Sequence, residues 1–134
     1  MEIEKQDGES PAVDKSGANI YNVDIMAETL GTFEQAVLVA ILRLRDDAYG
    51  RAILKEVQAR LDRDVAVGAV HTTLERLERK GLVSSRLAAG TPIRAGRVRR
   101  YYSIAAAGVR SLNESRAVID GIWKGLVWPV KGRA

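Results

Sequence analysis

The chain has 134 residues, of which 46% are hydrophobic and 28% charged, and it contains no cysteine. This length predicts one domain with a tail, and the composition supplies enough apolar residues for a core. The lack of cysteine excludes disulfides and thiolate metal sites, and the longest apolar run, Ala36–Leu42, is too short to cross a membrane. Since its start carries no export signal, the chain is expected to be cytoplasmic.

The formal net charge of +4 conceals a division along the chain. Residues 1–30 carry seven acidic and two basic side chains, whereas the rest of the chain carries 19 basic and 10 acidic ones. We expect residues 1–29 to form an acidic, disordered extension, because they lack sustained hydrophobic periodicity. The basic remainder indicates a polyanionic partner or a solvated surface, and the positions of the charges must decide between them.

Hydrophobic periodicity predicts three helices in the next part of the chain, at about Thr32–Arg45, Tyr49–Leu61 and Val67–Lys80. Thr32 and Gln35 have the spacing of a capping box at the start of the first helix. Gly81 follows the third helix in the position of a terminating glycine. Three short helices with short connections form the compact unit of a helix-turn-helix.

Two strands are predicted after the third helix, at Leu82–Ala88 and Arg97–Ile104, with a loop rich in Gly, Pro and Thr between them. Val98, Tyr102 and Ile104 share one face of the second strand, and we expect Tyr102 to bury its ring beneath the ribbon. The predicted fold is therefore mainly α with a small β-ribbon: a winged helix-turn-helix over residues 30–104.

Basic residues are concentrated where this fold would meet DNA. Between Arg76 and Arg100 there are eight basic residues and one acid, Glu78. A winged helix-turn-helix places its third helix in the major groove and its ribbon along the phosphates. Four residues outside the apolar stripe of the third helix are predicted to face the bases of double-stranded DNA: Gly68, His71, Thr72 and Arg76. The alternative is an ordinary solvated helix face.

The ribbon and its flanks supply the predicted phosphate contacts. Adjacent like charges destabilise a two-stranded element unless a polyanion neutralises them. The predicted phosphate-binding side chains are Lys80, Arg86, Arg94, Arg97, Arg99, Arg100 and Tyr101. The alternative is an edge strand whose charges only prevent aggregation.

No catalytic constellation is found in the sequence. His71 is the only histidine, and the sequence places no nucleophile or orienting acid beside it. Paired carboxylates and a glycine-rich phosphate cradle are also missing. We therefore predict that the protein is not an enzyme and that it needs no metal and no cofactor.

A last helix is predicted from about Ala105 to Val127, within a segment, residues 105–128, that precedes a short tail, 129–134. Its apolar positions recur at three- and four-residue steps, which is typical of a helix–helix contact. Homodimerisation would bury this seam, and packing within one chain is the alternative. The predicted dimer contacts are Val109, Leu112, Arg116, Ile119, Trp123 and Leu126. Trp123 and Trp128 are predicted to be core or interface anchors or, alternatively, to stack a flat aromatic effector.

Four segments together resemble the PadR-like transcriptional regulators. They are LGTFEQAVLVAIL, Ala48-Tyr49-Gly50, VGAVHTTLERLERKGLV and GRVRRYYSIAAAG, and the resemblance extends from Leu30 to about Asn113. It implies a dimeric winged-helix DNA-binding protein, usually a repressor, whose terminal helix packs against the partner subunit. It also implies that Tyr49 touches a phosphate, and that a small aromatic compound is a candidate effector.

The chain departs from the family pattern at two positions. His71 stands where the family usually has tyrosine, and Ala105 stands where it usually has a threonine that caps the last helix. The function predicted from the sequence is a homodimeric regulator, in the role of a repressor, at a palindromic operator. The alternative is a winged helix that binds an acidic protein and has only weak, non-specific affinity for DNA.

Overall fold

The computed structural model of the protein describes residues 29–89 and 98–133. The chain divides into two units, Met1–Leu30 and Gly31–Ala134, and the elements given below all belong to the second. Residues 1–28, most of the predicted acidic extension, lie outside the described residues, as do Arg94 and Arg97 of the predicted wing.

The described chain contains helices and a two-stranded antiparallel ribbon in the predicted order. The first helix, α1 (Thr32–Leu44), is followed by a short 3-10 turn, Arg45–Asp47. None of the helices in the described part of the chain is long and apolar enough to span a membrane. The bounds are α1 Thr32–Leu44, α2 Gly50–Leu61, α3 Val67–Arg79, β1 Val83–Ala89, β2 Val98–Ile104 and α4 Ala106–Trp123.

Helix α1 begins differently from the prediction. Gly31 is its N-cap, and the backbone N–H of Gly31 donates to Oε1 of Glu34 at 3.1 Å. The predicted Thr32–Gln35 capping box was therefore wrong. Thr32 is already the first helical residue, so the acceptor for the free N–H of the N-cap is the carboxylate at the third helical position.

The core joins the first three helices, as their hydrophobic periodicity predicts. Each helix turns its apolar stripe inward, and the side chains at the centre are almost wholly removed from water. Leu61, the last residue of α2, is only half-buried. The central side chains, none more than 2% exposed, are Val37, Leu38, Ile41, Ile53, Val57, Val70, Leu74 and Leu77.

A glycine ends α3 and directs the chain into the ribbon. Gly81 has φ +77°, and its N–H donates to the carbonyl of Glu78 at 3.0 Å. The N–H of Leu82 donates to the carbonyl of Leu77 at 3.0 Å, which completes a Schellman motif. The predicted role of Gly81 is confirmed, and the motif fixes the angle between α3 and β1.

The ribbon pairs β1 and β2 in a regular register from Val83 opposite Ile104 to Ala89 opposite Val98. The ring of Tyr102 is buried, as predicted. Val98 lies on the same face but is 60% exposed, because the outer end of the ribbon extends beyond the helices. The chain before α2 pairs with β2 only at an isolated bridge between Tyr49 and Tyr101, beside which the N–H of Tyr102 donates to the carbonyl of Ala48 at 2.8 Å.

Helix α4 packs its first turn directly on the start of the ribbon. The N-cap is Ala105, no side chain caps the helix, and the N–H of Ala105 donates to the Leu82 carbonyl at 2.9 Å. A Cβ on Gly108 would lie 2.3 Å from the Leu82 carbonyl oxygen, so only glycine allows this approach. Farther along, Ser115 is 1% exposed.

The end of α4 differs from the prediction. The helix ends at Trp123 and not at Val127, and Gly125 follows with φ +85°. The N–H of Leu126 donates to the carbonyl of Trp123 at 3.0 Å in a turn. The backbone leaves the helical region at Lys124, with ψ 131°, and the positive φ of Gly125 completes the turn well before Pro129. Leu126 therefore lies after the helix and not on its seam.

Candidate nucleic-acid interface

The outer face of α3 carries the predicted base-facing residues. Because the buried stripe of this helix faces α1 and α2, its other side lies in solvent. The imidazole Nε2 of His71 is 3.6 Å from Oε2 of Glu75, and both side chains are more than half exposed. All four of the predicted base-facing residues are exposed: Gly68, His71, Thr72 and Arg76.

A groove of about 430 Å³ lies between the start of α2, the outer face of α3 and strand β2. Its apolar lining includes Leu54, Val70 and Leu74. The basic and imidazole side chains that line it are Arg51, His71, Arg99 and Arg100. The structure thus brings two wing arginines to the third helix, and it adds Arg51, which the sequence-based prediction missed. The sequence did contain a signal for Arg51, because this cation falls in the first turn of α2, next to Tyr49-Gly50.

Two tyrosines and two arginines stack in a row from the start of α2 across the ribbon. The guanidinium carbon of Arg99 lies 4.0 Å from the centre of the Tyr49 ring. The rings of Tyr49 and Tyr101 meet edge to face, with centres 5.9 Å apart. The guanidinium carbon of Arg86 lies 5.0 Å from the centre of the Tyr101 ring. We call these four side chains the arginine–tyrosine row.

Arg100 points to the opposite face of β2 and belongs to a different set of contacts. Its Nη1 donates to Oγ of Ser85 at 2.9 Å, and that hydroxyl donates to Oε2 of Glu78 at 2.7 Å. These two hydrogen bonds connect the ribbon to the end of α3. Burial raises the pKa of the neighbouring Tyr102, the charge of Arg100 opposes that rise, and the charges of Glu78 and Glu75 add to it.

Arg76 and Lys80 lie beside Glu34 of α1. Nζ of Lys80 is 3.1 Å from Oε2 of Glu34, and Nη1 of Arg76 is 3.9 Å from the same oxygen. Burial alone would raise the pKa of Glu34, but the bond from the Gly31 N–H and these two cations outweigh it and hold the pKa below its ordinary value. Two predicted DNA contacts therefore already have a counter-charge within the protein.

The predicted dimer contacts on α4 are mostly exposed in the single chain. Val109, Ile119 and Trp123 are 40%, 41% and 40% exposed, whereas Leu112 is half-buried. Nε of Arg116 donates to the Asp120 carboxylate at 3.2 Å. The ring of Trp128, itself 75% exposed, packs edge to face on Trp123 with centres 5.4 Å apart.

Three packed helices followed by an antiparallel ribbon, with cations on both the third helix and the ribbon, define the winged helix-turn-helix class of proteins. The model of the transcriptional regulator PadR-like family matches residues 37–114. The chain belongs to this family, which confirms the resemblance drawn from the sequence. It is therefore a member of a family of transcriptional regulators and not an enzyme.

Solved structures of similar regulators confirm the winged-helix fold. A PadR family transcription regulator from Clostridium difficile is 24% identical, with a TM-score of 0.56 and coverage of 70% of this chain and 93% of that one. A PadR-like transcription factor from Bacteroides fragilis is also 24% identical, with a TM-score of 0.56 and coverage of 74% of this chain and 88% of that one. A transcriptional regulator from Clostridium thermocellum is 20% identical, with a TM-score of 0.57 and coverage of 81% of this chain and 99% of that one. Among curated proteins, none matches the chain.

Proposed function

We propose that the protein is a homodimeric regulator that binds a palindromic operator in double-stranded DNA and represses transcription by occupying it. The first two turns of α3 would enter the major groove, with Gly68, His71 and Thr72 toward the bases. The arginines of the ribbon would contact the flanking phosphates, together with Arg51 at the start of α2.

The single observation that carries this proposal is the groove between α2, α3 and β2. Arg51, Arg99 and Arg100 line it beside the exposed face of α3, and none of them has a carboxylate within 4.0 Å in the part of the chain that the structure describes. Unneutralised cations around an exposed helix attract phosphates and release counterions on binding. Arg76 and Lys80, which pair with Glu34, would contribute less than the sequence alone suggests.

The exposed apolar face of α4 supports the dimer in this proposal. Ile119, Ile122 and Trp123 are 41%, 66% and 40% exposed, and together they exceed the scattered apolar exposure that is usual for a monomer surface. A second α4 packed on this face would bury them and place two α3 helices on one side of the DNA. A two-fold symmetric protein requires a palindromic site.

We propose further that a flat aromatic effector binds near the α4 contact. In the dimer, Trp123 and Trp128 of the two subunits would provide four indole rings at or near the contact between the α4 helices. A flat aromatic compound stacked among them would change the spacing of the two α3 helices and so the operator affinity. An effector that quenches tryptophan fluorescence without changing DNA affinity would exclude this role.

The test begins with selection of a duplex from a random pool, followed by titration of wild-type protein, Arg99→Ala and Arg110→Ala. We expect Arg99→Ala to weaken binding about three- to tenfold and to lower the salt dependence by about one released ion. Arg110 is an exposed arginine on the polar side of α4, away from the groove, so Arg110→Ala is expected to bind as wild type does.

The same titration separates the alternative function. A winged helix that binds an acidic protein would bind the selected and random duplexes with equal affinity at every salt concentration. A specific regulator must retain a large ratio between the two affinities as salt rises. Equal affinities, or an unchanged salt dependence in Arg99→Ala, would contradict the proposed function.

A further inference from the structure

Tyr49 is the N-cap of α2 and also pairs with β2 through its backbone. It forms an isolated antiparallel bridge with Tyr101, and its carbonyl accepts from the N–H of Ile53 at 2.9 Å in the first turn of α2. Its neighbour Ala48 is fully buried. The backbone of Tyr49 is therefore held from two sides, which fixes the point from which its ring projects.

The ring of Tyr49 is occupied by contacts within the protein. Arg99 covers one face at 4.0 Å, and Tyr101 meets the ring at an interplanar angle of 68°. Because Arg86 is the register partner of Tyr101, the row continues onto β1. Each guanidinium of the row thus lies on an aromatic ring that the backbone of another strand or helix holds in place.

This arrangement orders the arginines and leaves their charge available. Neither Arg86 nor Arg99 has a carboxylate within 4.0 Å in the part of the chain that the structure describes, in contrast to Arg76 and Lys80. An aromatic ring attracts a cation through its quadrupole and does not neutralise it. A guanidinium that is ordered before binding loses less conformational entropy when it meets a phosphate.

We propose that Tyr49 is a positioning residue whose ring, and not its hydroxyl group, serves DNA binding by holding Arg99 and Tyr101 of the ribbon in the orientation that contacts the phosphate backbone. This inference rests on the proposed function. It differs from what the family resemblance implies, which is a direct contact between Tyr49 and phosphate. The two ideas make opposite predictions for a ring without a hydroxyl.

The decisive comparison is between Tyr49→Leu and Tyr49→Phe on the selected duplex. Tyr49→Leu removes the ring, and we expect it to weaken DNA binding about three- to tenfold. Tyr49→Phe keeps the ring and is expected to restore the affinity to within about twofold of wild type. If Tyr49→Phe loses as much affinity as Tyr49→Leu, the hydroxyl makes the contact and the inference is wrong. It is equally wrong if Tyr49→Leu binds as wild type does.

A second measurement needs no DNA, and its main result comes from the wild-type protein. In the wild-type protein, ring currents from Tyr49 must shift the side-chain NMR resonances of Arg99 upfield, and Tyr49→Phe must retain that shift. If the side-chain resonances of Arg99 in wild type have random-coil chemical shifts, the inference is wrong, and this result does not depend on whether Tyr49→Leu folds. If the shifts are present but no duplex is bound specifically, the proposed function fails while the packing of the row stands.

Discussion

At the scale of single residues, one carboxylate binds two of the side chains that the sequence predicts as DNA contacts. Glu34 accepts a backbone bond at the start of α1, and it pairs with Arg76 and Lys80 of α3. Its side chain is only 14% exposed, so solvent screens these interactions less than at an open surface. The cations thus stabilise the packing of α1 on α3.

We expect Glu34→Gln to lower the free energy of unfolding by about 1 kcal/mol near neutral pH, because it removes two ionic partners and keeps an acceptor for Gly31. The folded pKa of Glu34 is lowered, so its contribution is present above the ordinary value of 4.5 and is lost as the pH falls through the folded pKa. Denaturant unfolding of both proteins across acidic pH measures this. If the difference in unfolding free energy between wild type and Glu34→Gln does not decrease in acid, the ionic role of Glu34 is wrong.

The residue scale also shows where sequence reasoning reaches its limit. The exposure of His71 and Thr72 follows from helical spacing, because the buried residues of α3 fix the opposite face. The pairing of Arg76 with Glu34 and the stacking of Arg99 on Tyr49 join residues far apart in the chain. No local spacing encodes such contacts, so only the folded arrangement divides the cations into paired and available ones.

At the scale of elements, the helices and the ribbon could be predicted from periodicity and from glycines. The buried residues of α3 and the turn at Gly81 agree with the sequence pattern because both depend on neighbours a few residues apart. The ends of α1 and α4 were less predictable. Gly31 caps α1 with an extended backbone that any residue can adopt, and α4 ends at Lys124, so no distinctive residue marks either end in the sequence.

The start of α4 offers a test of the missing cap. Ala105 has the extended backbone of an N-cap, φ −83° and ψ 164°, and no side chain supplies the capping bond. We expect Ala105→Thr to raise the free energy of unfolding by about 0.5–1 kcal/mol, because the hydroxyl can accept from a free N–H of the first turn. Thermal and denaturant unfolding measure this, with Ala106→Thr as the control inside the helix. If Ala105→Thr is no more stable than Ala106→Thr, the N–H groups of the first turn of α4 already have hydrogen-bond acceptors.

At the scale of the whole molecule, the described surface is divided between two kinds of chemistry. The cationic groove lies between α2, α3 and β2, and the exposed apolar face lies on the second half of α4. The first fits a polyanion and the second fits another apolar helix. Under the proposed function, the first would bind DNA and the second would join two subunits at a palindromic site.

We expect the wild-type protein to sediment as a dimer and Ile119→Glu to shift it to the monomer, because a carboxylate in the α4 contact would be desolvated without a partner. Ala117→Glu places the same charge on the polar side of the same helix and is expected to leave the dimer intact. Sedimentation velocity at several concentrations measures this. A monomeric wild type, or a dimeric Ile119→Glu, would exclude α4 as the dimer contact.

The bond between the Tyr102 N–H and the Ala48 carbonyl has a consequence for how the molecule folds and opens. The helices and the β1–β2 hairpin are made from contacts between near neighbours, whereas this bond closes a long stretch of chain. Closing a long loop costs conformational entropy before the contact repays it. The ribbon should therefore dock late in folding and detach early in partial unfolding, so that it opens as a separate cooperative unit while α1–α3 stay folded.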